Sequence, residues 1–430
     1  MTDSQTALHQ NGIGNQMYDL IAELFPICRS ITGEGFRQTI KILQRHIPLK
    51  THEVPTGTRV FDWTIPREWN IRDAYVKNAE GEKVIDFQMS NLHILNYSIP
   101  VNKTIPFEEL KEHLYTLPDH PEWIPYKTSY YHDNWGFCLS HKRFLEMNEG
   151  AYEVFIDSTL KDGSLTYGEL YLEGESADEI LISCHACHPS LANDNLSGIS
   201  LAAYLAKRMS GQSHRYSYRF LFIPGTIGAI AWLAMNEAKT SNIKHGLVLS
   251  GVGDKGNITY KKSRQGNAEI DKVALHVLQA SQRTHDILEF TPYGYDERQY
   301  CSPGFNLAVG CLSRSQYAQY PEYHTSADNM EFVQPQYLEE SFAAALSMVE
   351  VLEGNAVYVN RMPKCEPQLG KRGLYGSAGI NEMAMLWVLN MSDGTNSLLD
   401  IAEMSGLRLD QVCKAGKTLQ SHGLLDQRSS

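Results

Sequence analysis

The 430-residue sequence predicts an α/β protein built on a sheet that helices cover on both faces. From about Leu165, short apolar runs typical of buried strands alternate with segments of helical periodicity. Residues 56–164 have a different texture, with aromatic-rich segments separated by proline, asparagine and glycine, and they predict a β-rich insert. Residues 378–430 contain three short helical segments, the pattern of a winged-helix or helix-turn-helix module.

The predicted elements follow this division along the chain. Helical periodicity first occurs at residues 17–25 and 36–46, on either side of a short turn. In the insert, an alternating apolar run predicts a strand at 152–156. Farther along, the predicted strands are 169–172, 180–182, 218–223 and 246–250, and the predicted helices are 197–209, 229–237, 269–282, 337–353, 382–389, 397–404 and 409–420.

These elements divide the chain into three predicted domains, because it exceeds the usual length of one. Residues 1–55 and 165–375 form a discontinuous core, and residues 56–164 form the inserted domain. Residues 378–430 form the C-terminal domain. The segment 361–377 has the proline- and glycine-rich composition of a linker.

Composition narrows the class of protein. The formal net charge of −12 and the pI near 5.7 argue against a general binder of polyanions. No basic, apolar leader opens the sequence and no apolar run is long enough to span a bilayer, so we expect a cytoplasmic protein without membrane contacts. The eight cysteines lack the density and regular spacing of a disulfide framework, and we expect most of them to be reduced and buried.

One short segment carries most of the chemistry. Residues 183–189, Ser-Cys-His-Ala-Cys-His-Pro, follow an apolar run and come just before residues 193–198, Asn-Asp-Asn-Leu-Ser-Gly. Two imidazoles, two thiols and a carboxylate therefore gather where a strand gives way to a loop and then a helix. The ends of strands are where α/β enzymes place metals and active sites.

Other interpretations of this segment stay open at the level of sequence. Cys184 to His188 also matches the attachment pattern of a c-type haem, which belongs outside a reducing cytoplasm. A structural zinc site would need a second cysteine or histidine pair at close spacing, and the sequence shows none. Both cysteines could also simply pack in the core at the strand end.

A second polar segment offers a further ligand. Residues 320–329, Tyr-Pro-Glu-Tyr-His-Thr-Ser-Ala-Asp-Asn, place His324 in a turn-rich loop before the last long helix of the core. A lone histidine in such a loop is usually a surface residue. Here it fits a third ligand, because two imidazoles and a carboxylate with open positions are the ligand set of a catalytic zinc site.

Together these motifs resemble a known family. The strings CHPSxxNDNxSG and YPEYHTSADN, with TGEGxRQT near the start and FDWTxPxEWNIRDAY in the insert, are similar to those of bacterial aminopeptidase-like proteins formerly described as domains of unknown function. The resemblance covers nearly the whole chain. It implies a zinc-aminopeptidase-like core with an open mixed sheet flanked by helices, a small inserted domain and a C-terminal winged helix. Members often accompany genes for surface polysaccharide or secondary-metabolite biosynthesis, which implies a biosynthetic role.

Carried over position by position, the resemblance implies that His188, Asp194 and His324 bind the metal. Asp194 occupies the place of the aspartate that bridges the metals of two-zinc aminopeptidases. His185 is the alternative to His188. We prefer His188 because Pro189 fixes the loop geometry, and we give His185 a supporting or proton-carrying catalytic role.

The chain departs from the two-zinc aminopeptidases at two positions. Those enzymes carry adjacent glutamates after the next strand, a general base and a metal ligand, and relatives of the present family retain the first. This chain has Gly225 at that place. The aspartate of the following strand is matched by Leu249-Ser250-Gly251, which offers no carboxylate. We therefore expect one zinc ion per chain rather than two.

An active hydrolase needs a substitute for the missing base, since general-base catalysis contributes about 10²- to 10⁴-fold. The candidates are Asp254, Asp296, Glu297, Glu322 and His185, and the catalytic assignment favours Asp296, Glu297 and His185. Asp254 is also a candidate substrate contact, although a Gly-Asp-x-Gly string is most often a turn.

Several side chains are candidates for substrate binding. Arg298 could bind an anionic group beside carboxylates that hold a substrate amine, or the segment 296–299 could be a solvated loop with an internal ion pair. Arg264 and Arg314 are similar candidates, for which surface charge is the alternative. Tyr323, next to His324, is the remaining one.

Two functions remain open. The first is a zinc-dependent enzyme that acts on an amide bond of a small amino-acyl or peptide-like substrate, by hydrolysis or, without the usual glutamate, by transfer or cyclisation. The second is a catalytically inactive relative that binds a ligand or takes part in assembly, and the architecture suits a homo-oligomer. Residues 381–430 carry four basic and six acidic residues, which disfavours nucleic-acid binding.

Overall fold

The structure, a computed structural model, describes residues 12–375 and 381–428. The chain divides into two compact units, residues 1–346 and residues 347–430. The first unit contains the large sheet and the β-rich insert, and the second contains the C-terminal module. Within the described residues, no helix combines the length and the apolar composition that a membrane span requires.

An eight-stranded mixed sheet forms the centre of the first unit. Its order is β1-β2-β4-β3-β5-β8-β6-β7 when its own strands are numbered along the chain. These strands are β1 (Lys50–Pro55), β2 (Ser164–Leu172), β3 (Glu179–His185), β4 (Ser217–Ile223), β5 (Ile243–Leu249), β6 (Ile258–Lys261), β7 (His285–Leu288) and β8 (Val309–Ser313). The central strands β4, β3, β5 and β8 are parallel, whereas β2 and β6 pair antiparallel with β4 and β8.

Burial explains the sequence pattern of this unit. Every residue of β3 and β4 is buried, as expected for central parallel strands that read as continuous apolar runs. In Glu34–Leu43 the buried residues recur at helical spacing, so that one stripe faces the core. The other long helices are Ile13–Leu24, Gly198–Met209, Ile227–Asn236, Glu269–Ala280 and Pro335–Gly354, and the shorter turns are Ala192–Ser197, Glu237–Asn242 and Glu297–Tyr300.

The insert contains a four-stranded antiparallel sheet. Buried and half-exposed residues alternate along its strand Ala151–Lys161, so one face packs inward. Trp69 and Val154 of the insert belong to the same buried cluster as Leu181 and Ile223 of the large sheet, which joins the two into one core. The other elements are the strands Lys83–Asp86, Glu68–Lys77, Val101–Pro106, Arg59–Val60, Trp63–Thr64, Leu114–Tyr115 and Phe137–Cys138, and the helices Asn91–His93, Phe107–Lys111 and His141–Leu145.

The second unit is a winged helix. Three helices pack through a separate buried cluster that includes Val388, Ile401 and Val412. They accompany a three-stranded sheet. The helices are Glu382–Met391, Leu398–Ser405 and Leu409–Ser421, the strands are Asp393–Ser397, Val357–Asn360 and Leu425–Gln427, and a short turn spans Gly370–Arg372.

The structure corrects one predicted domain boundary. Val357–Asn360 was assigned to the core from the sequence, yet it pairs with Asp393–Ser397 and Leu425–Gln427 of the C-terminal module. The second unit begins at Ser347, so the predicted end of the core at residue 375 is too late in the chain. The predicted start at residue 378 lies outside the described residues, as does the end of the linker 361–377.

Candidate metal centre

The predicted motif lies at the carboxyl end of the parallel strands. His185 is the last residue of β3 and lies opposite Ile223, the last residue of β4. In the turn Ala192–Ser197, Asp194 and Asn195 do not have helical φ and ψ angles, and the peptide bond between them is cis. The turn carries the Asp194 side chain back to the strand end, beside His185.

Three histidines surround the Asp194 carboxylate, which is fully buried. His185 Nε2 lies 2.8 Å from Asp194 Oδ1, and His188 Nδ1 lies 3.7 Å from the same oxygen. His324 Nε2 lies 3.1 Å from Asp194 Oδ2. Ligand atoms of His185, His188 and Asp194 all lie within 4.8 Å of one another. The fold thus brings together four side chains that the sequence analysis selected from two distant segments.

Unpaired ligand atoms show that this cluster fits a metal ion. His188 Nδ1, Asp194 Oδ2 and His324 Nε2 are buried and have no hydrogen-bond partner among the described residues. Buried polar atoms are normally paired, because leaving them without a partner is unfavourable. A tetrahedral zinc ion with bonds of about 2.0–2.1 Å holds neighbouring ligand atoms roughly 3.3 Å apart. The observed separations are close to that value, at 3.1 Å between His324 Nε2 and Asp194 Oδ2 and 3.7 Å between His188 Nδ1 and Asp194 Oδ1.

His185 and His188 differ in their surroundings. His185 Nε2 is at hydrogen-bond distance from Asp194 Oδ1, and its ring stacks on Tyr295. His188 packs edge-on against Tyr126 and keeps Nδ1 free of other described partners. This geometry favours His188 as a ligand and His185 as the residue that orients Asp194. The assignment of the two imidazoles stays a prediction.

Electrostatics favour the protonation states that bind a metal. Burial alone would raise the pKa of Asp194, but the neighbouring His188, His185 and His324 hold that pKa well below its usual range. Burial lowers the pKa of His188 to about 3. Burial also opposes the His185 cation, but the hydrogen bond and charge of Asp194 outweigh it and raise the pKa of His185. A neutral His188 and an ionised Asp194 are the metal-binding forms.

A network of buried polar groups holds the ligand loop. Asp328 Oδ1 and Oδ2 accept hydrogen bonds from the backbone N–H groups of Asn193 and Asp194, at 2.6 and 2.9 Å. The Asn193 amide in turn donates to Asp254 Oδ2 at 2.8 Å. Sequence reasoning missed Asp328, although it lies within the segment 320–329 and its acidic type was a usable signal.

Arg29 is a second residue that sequence reasoning missed. It is fully buried, and its Nε donates to the His188 carbonyl oxygen at 2.8 Å while Nη1 donates to the Leu24 carbonyl oxygen at 2.7 Å. Burial lowers the pKa of Arg29 to about 10. Arg29 therefore ties the ligand loop to the end of the first helix, and its position in the sequence carries no motif that would have indicated this.

Gly225, where the resemblance implies a glutamate, lies next to this cluster. A Cβ atom at Gly225 would lie 3.5 Å from both Cys187 Sγ and His185 Cβ, which is ordinary van der Waals contact. The adjacent Thr226 N–H donates to Asp296 Oδ1 at 2.6 Å, and Asp296 Oδ2 has no hydrogen-bond partner within the described ranges. Burial raises the pKa of Asp296 to about 6. Asp296 thus places a carboxylate beside the residue that follows Gly225.

The three histidines, Gly225 and Asp296 line one cavity of about 360 Å³, a size suited to a small ligand. Six residues predicted from the sequence contribute to its lining: His185, His188, His324, Asp296, Arg298 and Tyr323. Aromatic side chains supply much of the remaining wall, namely Trp63, Tyr130, Tyr131, Tyr295 and Tyr317.

The other predicted site residues lie outside this lining. Glu297 is fully buried and pairs with Lys261 Nζ at 2.8 Å. Asp254 accepts hydrogen bonds from the Asn193 amide and from the Ser315 hydroxyl, which makes it part of the loop support. Glu322, a candidate base, also does not line the cavity.

Two predicted arginines likewise lie elsewhere. Arg314 is buried and pairs with Glu340 at 3.2 Å. Arg264 is exposed and donates to Asn306 Oδ1 at 2.8 Å. The structure does not bring these two or Asp254 to the cavity, and we do not carry their predicted substrate contacts further. The same holds for the catalytic role predicted for Glu297.

The cysteines of the motif pack at the strand end. All eight cysteines fall within the described ranges and are free thiols. Cys184 and Cys187 are 0% and 3% exposed, and Cys187 Sγ accepts the Gly225 N–H at 3.2 Å. Burial raises the pKa of Cys187 to about 12. Such enclosed thiols suit the packing interpretation, since covalent haem attachment needs open space around both sulfur atoms.

Comparison with known proteins identifies this architecture. Residues 18–355 match a family model described as a domain of unknown function, DUF4910, and residues 356–427 match a winged helix-turn-helix model. A Clostridium acetobutylicum protein, provisionally named a polysaccharide biosynthesis protein with an aminopeptidase-like domain, is 53% identical over 418 residues, which is 96% of each chain.

Solved structures show the same fold. A Clostridium acetobutylicum protein provisionally described as a peptidase superposes with a TM-score of 0.91 at 51% identity, covering 99% of this chain and 100% of that one. The zinc aminopeptidase BSAP of Bacillus subtilis has a TM-score of 0.57 at 11% identity, covering 79% and 94%. A peptidase M28 precursor from Shewanella amazonensis has a TM-score of 0.55 at 12% identity, covering 81% and 96%.

The fold is therefore that of an aminopeptidase-like α/β protein with a C-terminal winged helix. The chain belongs to the DUF4910 family.

Proposed function

We propose that this protein is a zinc-dependent enzyme that acts on an amide bond of a small amino-acyl or peptide-like substrate. One observation carries the proposal: His188 Nδ1 and His324 Nε2, of two residues that line the cavity, are directed at the buried Asp194 carboxylate, 3.7 Å from Oδ1 and 3.1 Å from Oδ2, and have no other hydrogen-bond partner among the described residues. His188, Asp194 and His324 would hold one zinc ion per chain. Zinc bound there would polarise the substrate carbonyl.

Asp296 is the carboxylate best placed to move a proton. Thr226 N–H holds its Oδ1, while Oδ2 has no partner among the described residues and is available to a group in the cavity. A pKa of about 6 leaves Asp296 ionised at neutral pH and strong enough as a base. It accepts the proton of the attacking nucleophile, which is water in hydrolysis and a substrate amine in transfer or cyclisation.

Gly225 favours a second function, in which the cavity binds a ligand without chemistry. Removing a general base is the change expected of a protein that retains an enzyme's fold and loses its activity. In that case the zinc site would serve structure or ligand binding, and the winged helix would serve assembly. The activity assay below separates the two functions.

The setting proposed for this activity is the cytoplasm. Eight free thiols fit a reducing compartment, and the six acidic and four basic residues of 381–430 fit protein contacts, including self-association, better than nucleic-acid binding. The name of the Clostridium acetobutylicum relative fits a role in a biosynthetic pathway.

Metal analysis tests the proposed site. We expect the purified protein to hold about one zinc ion per chain and the double variant His188→Ala, His324→Ala to hold none. His276→Ala, on the helix Glu269–Ala280 away from the cavity, is the matched control and should retain zinc. Equal zinc content in the double variant and the control would overturn the ligand assignment.

Turnover of amino-acyl amides and dipeptides tests the chemistry. We expect Asp296→Asn to lower kcat by about 10²-fold or more with an unchanged zinc content, because the amide group cannot accept a proton. A zinc-loaded native protein that turns over no member of such a panel would favour the ligand-binding alternative.

A further inference from the structure

Arg298 lines the cavity without an anionic partner. It lies on the one-turn helix Glu297–Tyr300, and among the described lining residues it is the one arginine or lysine. Its Nε is buried and makes no hydrogen bond to any described residue. No carboxylate in the described ranges lies within the 4.0 Å of an ion pair from its guanidinium. The cavity therefore contains a positive charge that the protein itself leaves unpaired.

Two buried arginines of this unit are paired with carboxylates, and a third, Arg29, donates to backbone carbonyl oxygens instead. Arg219 Nε lies 2.7 Å from Glu179 Oε2, and Arg314 Nη2 lies 3.2 Å from Glu340 Oε2. Such pairing is expected, because a guanidinium removed from water is unfavourable without acceptors for its five donors. Arg298 differs from these three because its side chain lines a cavity, where a bound molecule could supply the acceptor.

The neighbouring acids are directed to other partners. Glu297 pairs with Lys261 Nζ at 2.8 Å, and Asp296 Oδ1 accepts the Thr226 N–H. Neither carboxylate forms an ion pair with Arg298, although Glu297 is adjacent to it and Asp296 lies two residues before it in the sequence. The three consecutive charged residues thus have separate surroundings. Arg298 lines the cavity without forming an ion pair to either acid.

The surrounding wall favours a small molecule with one anionic group. Trp63 and Tyr131, which are 42% and 45% exposed, lie in the lining with Tyr317 and Tyr323. Aromatic walls lower the local dielectric constant and so strengthen a charge-assisted hydrogen bond. A planar guanidinium binds carboxylate or phosphate through two parallel hydrogen bonds.

We propose that the cavity takes an anionic small molecule whose carboxylate or phosphate group is bound by Arg298. The inference rests on the proposed function, since it names the substrate class of that cavity. Arg298 is accordingly a specificity-determining residue that anchors the substrate, while Asp296 and the histidine cluster meet its reacting amide.

A binding measurement on the metal-free full-length chain tests this inference. Chelation removes the metal, so that an anion cannot gain affinity through it. The probes are N-acetylphenylalanine, its uncharged amide N-acetylphenylalaninamide, and phenyl phosphate, titrated at millimolar concentration by calorimetry. We expect the better anion to bind about 10- to 100-fold more tightly than the amide, the range for hydrogen bonds to a charged group.

Variants assign that preference to Arg298. Arg298→Gln should lower the ratio of anion to amide affinity to about one. Arg298→Lys should retain part of the preference for the anion, because lysine keeps the positive charge but cannot form two parallel hydrogen bonds. Arg72→Gln, whose side chain is 77% exposed on the insert, should leave the ratio unchanged. Thermal unfolding of each variant verifies that it is folded.

Each outcome decides the inference. Tighter binding of phenyl phosphate identifies a phosphate as the natural group, and tighter binding of N-acetylphenylalanine identifies a carboxylate. Equal binding of anions and amide, absence of anion binding, or a preference that survives in folded Arg298→Gln would overturn it. Because the measurement uses no metal and no turnover, its failure is distinct from a failure of zinc content or of amide cleavage.

Discussion

The two walls of the cavity differ in how many of the polar groups predicted for a metal-dependent enzyme they carry. On the ligand wall, three histidines meet Asp194, and Asp328 and Arg29 hold the loop that carries them. On the adjoining wall, the residues that follow β4 include Gly225, at the place where the resemblance implies a glutamate. A carboxylate from a different segment, Asp296, hydrogen bonds to the residue that follows.

This difference concerns two separate requirements of a metal-dependent enzyme, the ligands that would bind the metal and the base that would accept a proton. Ligands require several fixed groups at once, so the wall that supplies them is supported by buried hydrogen bonds. A base requires one group within reach of a proton, and such a group can come from another loop. Three substitutions test the contrast between the walls. Gly225→Glu introduces a carboxylate, Asp328→Ala removes hydrogen bonds from the loop that carries Asp194, and Asp296→Asn removes a charge.

Restoring the glutamate should have the largest effect. We expect Gly225→Glu to raise kcat/KM for amino-acyl amide hydrolysis by about 10²- to 10⁴-fold, the contribution of a general base, since the resemblance implies a basic glutamate at this position. The structure accommodates a Cβ atom there at ordinary contact distances of 3.5 Å. Gly225→Gln is the matched control and should give no gain. Equal rates for native protein, Glu and Gln variants would show that the wall without a glutamate is suited to another reaction.

Loosening the ligand loop should have the next largest effect. Asp328→Ala leaves two buried backbone N–H groups, those of Asn193 and Asp194, without their acceptor. We expect it to lower the free energy of unfolding by about 4 kcal/mol, at about 1–3 kcal/mol for each unsatisfied group, and to weaken zinc binding. Urea unfolding and zinc titration measure the two effects.

Two further variants sharpen this result. Asp328→Asn retains one acceptor oxygen and should lose about half as much stability. Asp162→Ala, at an exposed turn, should change it by less than about 0.5 kcal/mol. If Asp328→Ala matched Asp162→Ala, the hydrogen bonds of Asp328 would contribute nothing to the loop.

Neutralising Asp296 should have the smallest of the three effects. It should change the free energy of unfolding in a pH-dependent way. Burial raises the pKa of Asp296 from 3.8 to about 6, so the folded state disfavours the ionised form. The resulting loss of stability is absent below pH ~4, develops as the pH rises to about 6 and persists above it. We therefore expect Asp296→Asn to stabilise the metal-free protein by up to about 3 kcal/mol at neutral pH and by nothing at pH ~4.

Urea unfolding of the chelated protein across this pH range measures the effect. A stabilisation that grows toward acid pH would contradict the assigned direction. A pH-independent difference would show instead that the substitution acts through packing.

Much of the fold could be read from local pattern. The helices predicted at 197–209 and 269–282 are observed as Gly198–Met209 and Glu269–Ala280, because their apolar stripes are long and periodic. The strands β6, β7 and β8 were not predicted. They have only four or five residues each, and their place in the sheet depends on pairing with distant partners.

The end of the core was misplaced for a similar reason. Val357–Asn360 looks like any short strand, and only its pairing with Leu425–Gln427 assigns it to the winged helix. The insert was recognised by its texture, but its aromatic contribution to the cavity, from Trp63 and Tyr131, followed from no local pattern.

The sequence by itself determined the class of fold, the histidine and aspartate motif at a strand end, and the absence of a carboxylate at Gly225. Each of these is a property of neighbouring residues, through hydrophobic periodicity, turn chemistry or motif spacing. Only the tertiary structure decided which of the predicted polar residues meet. It brought Asp296 and Arg298 to the cavity and left Glu297, Asp254 and Arg314 in structural pairs. That choice depends on packing between segments far apart in the chain, which decides which buried charges find a partner within the protein.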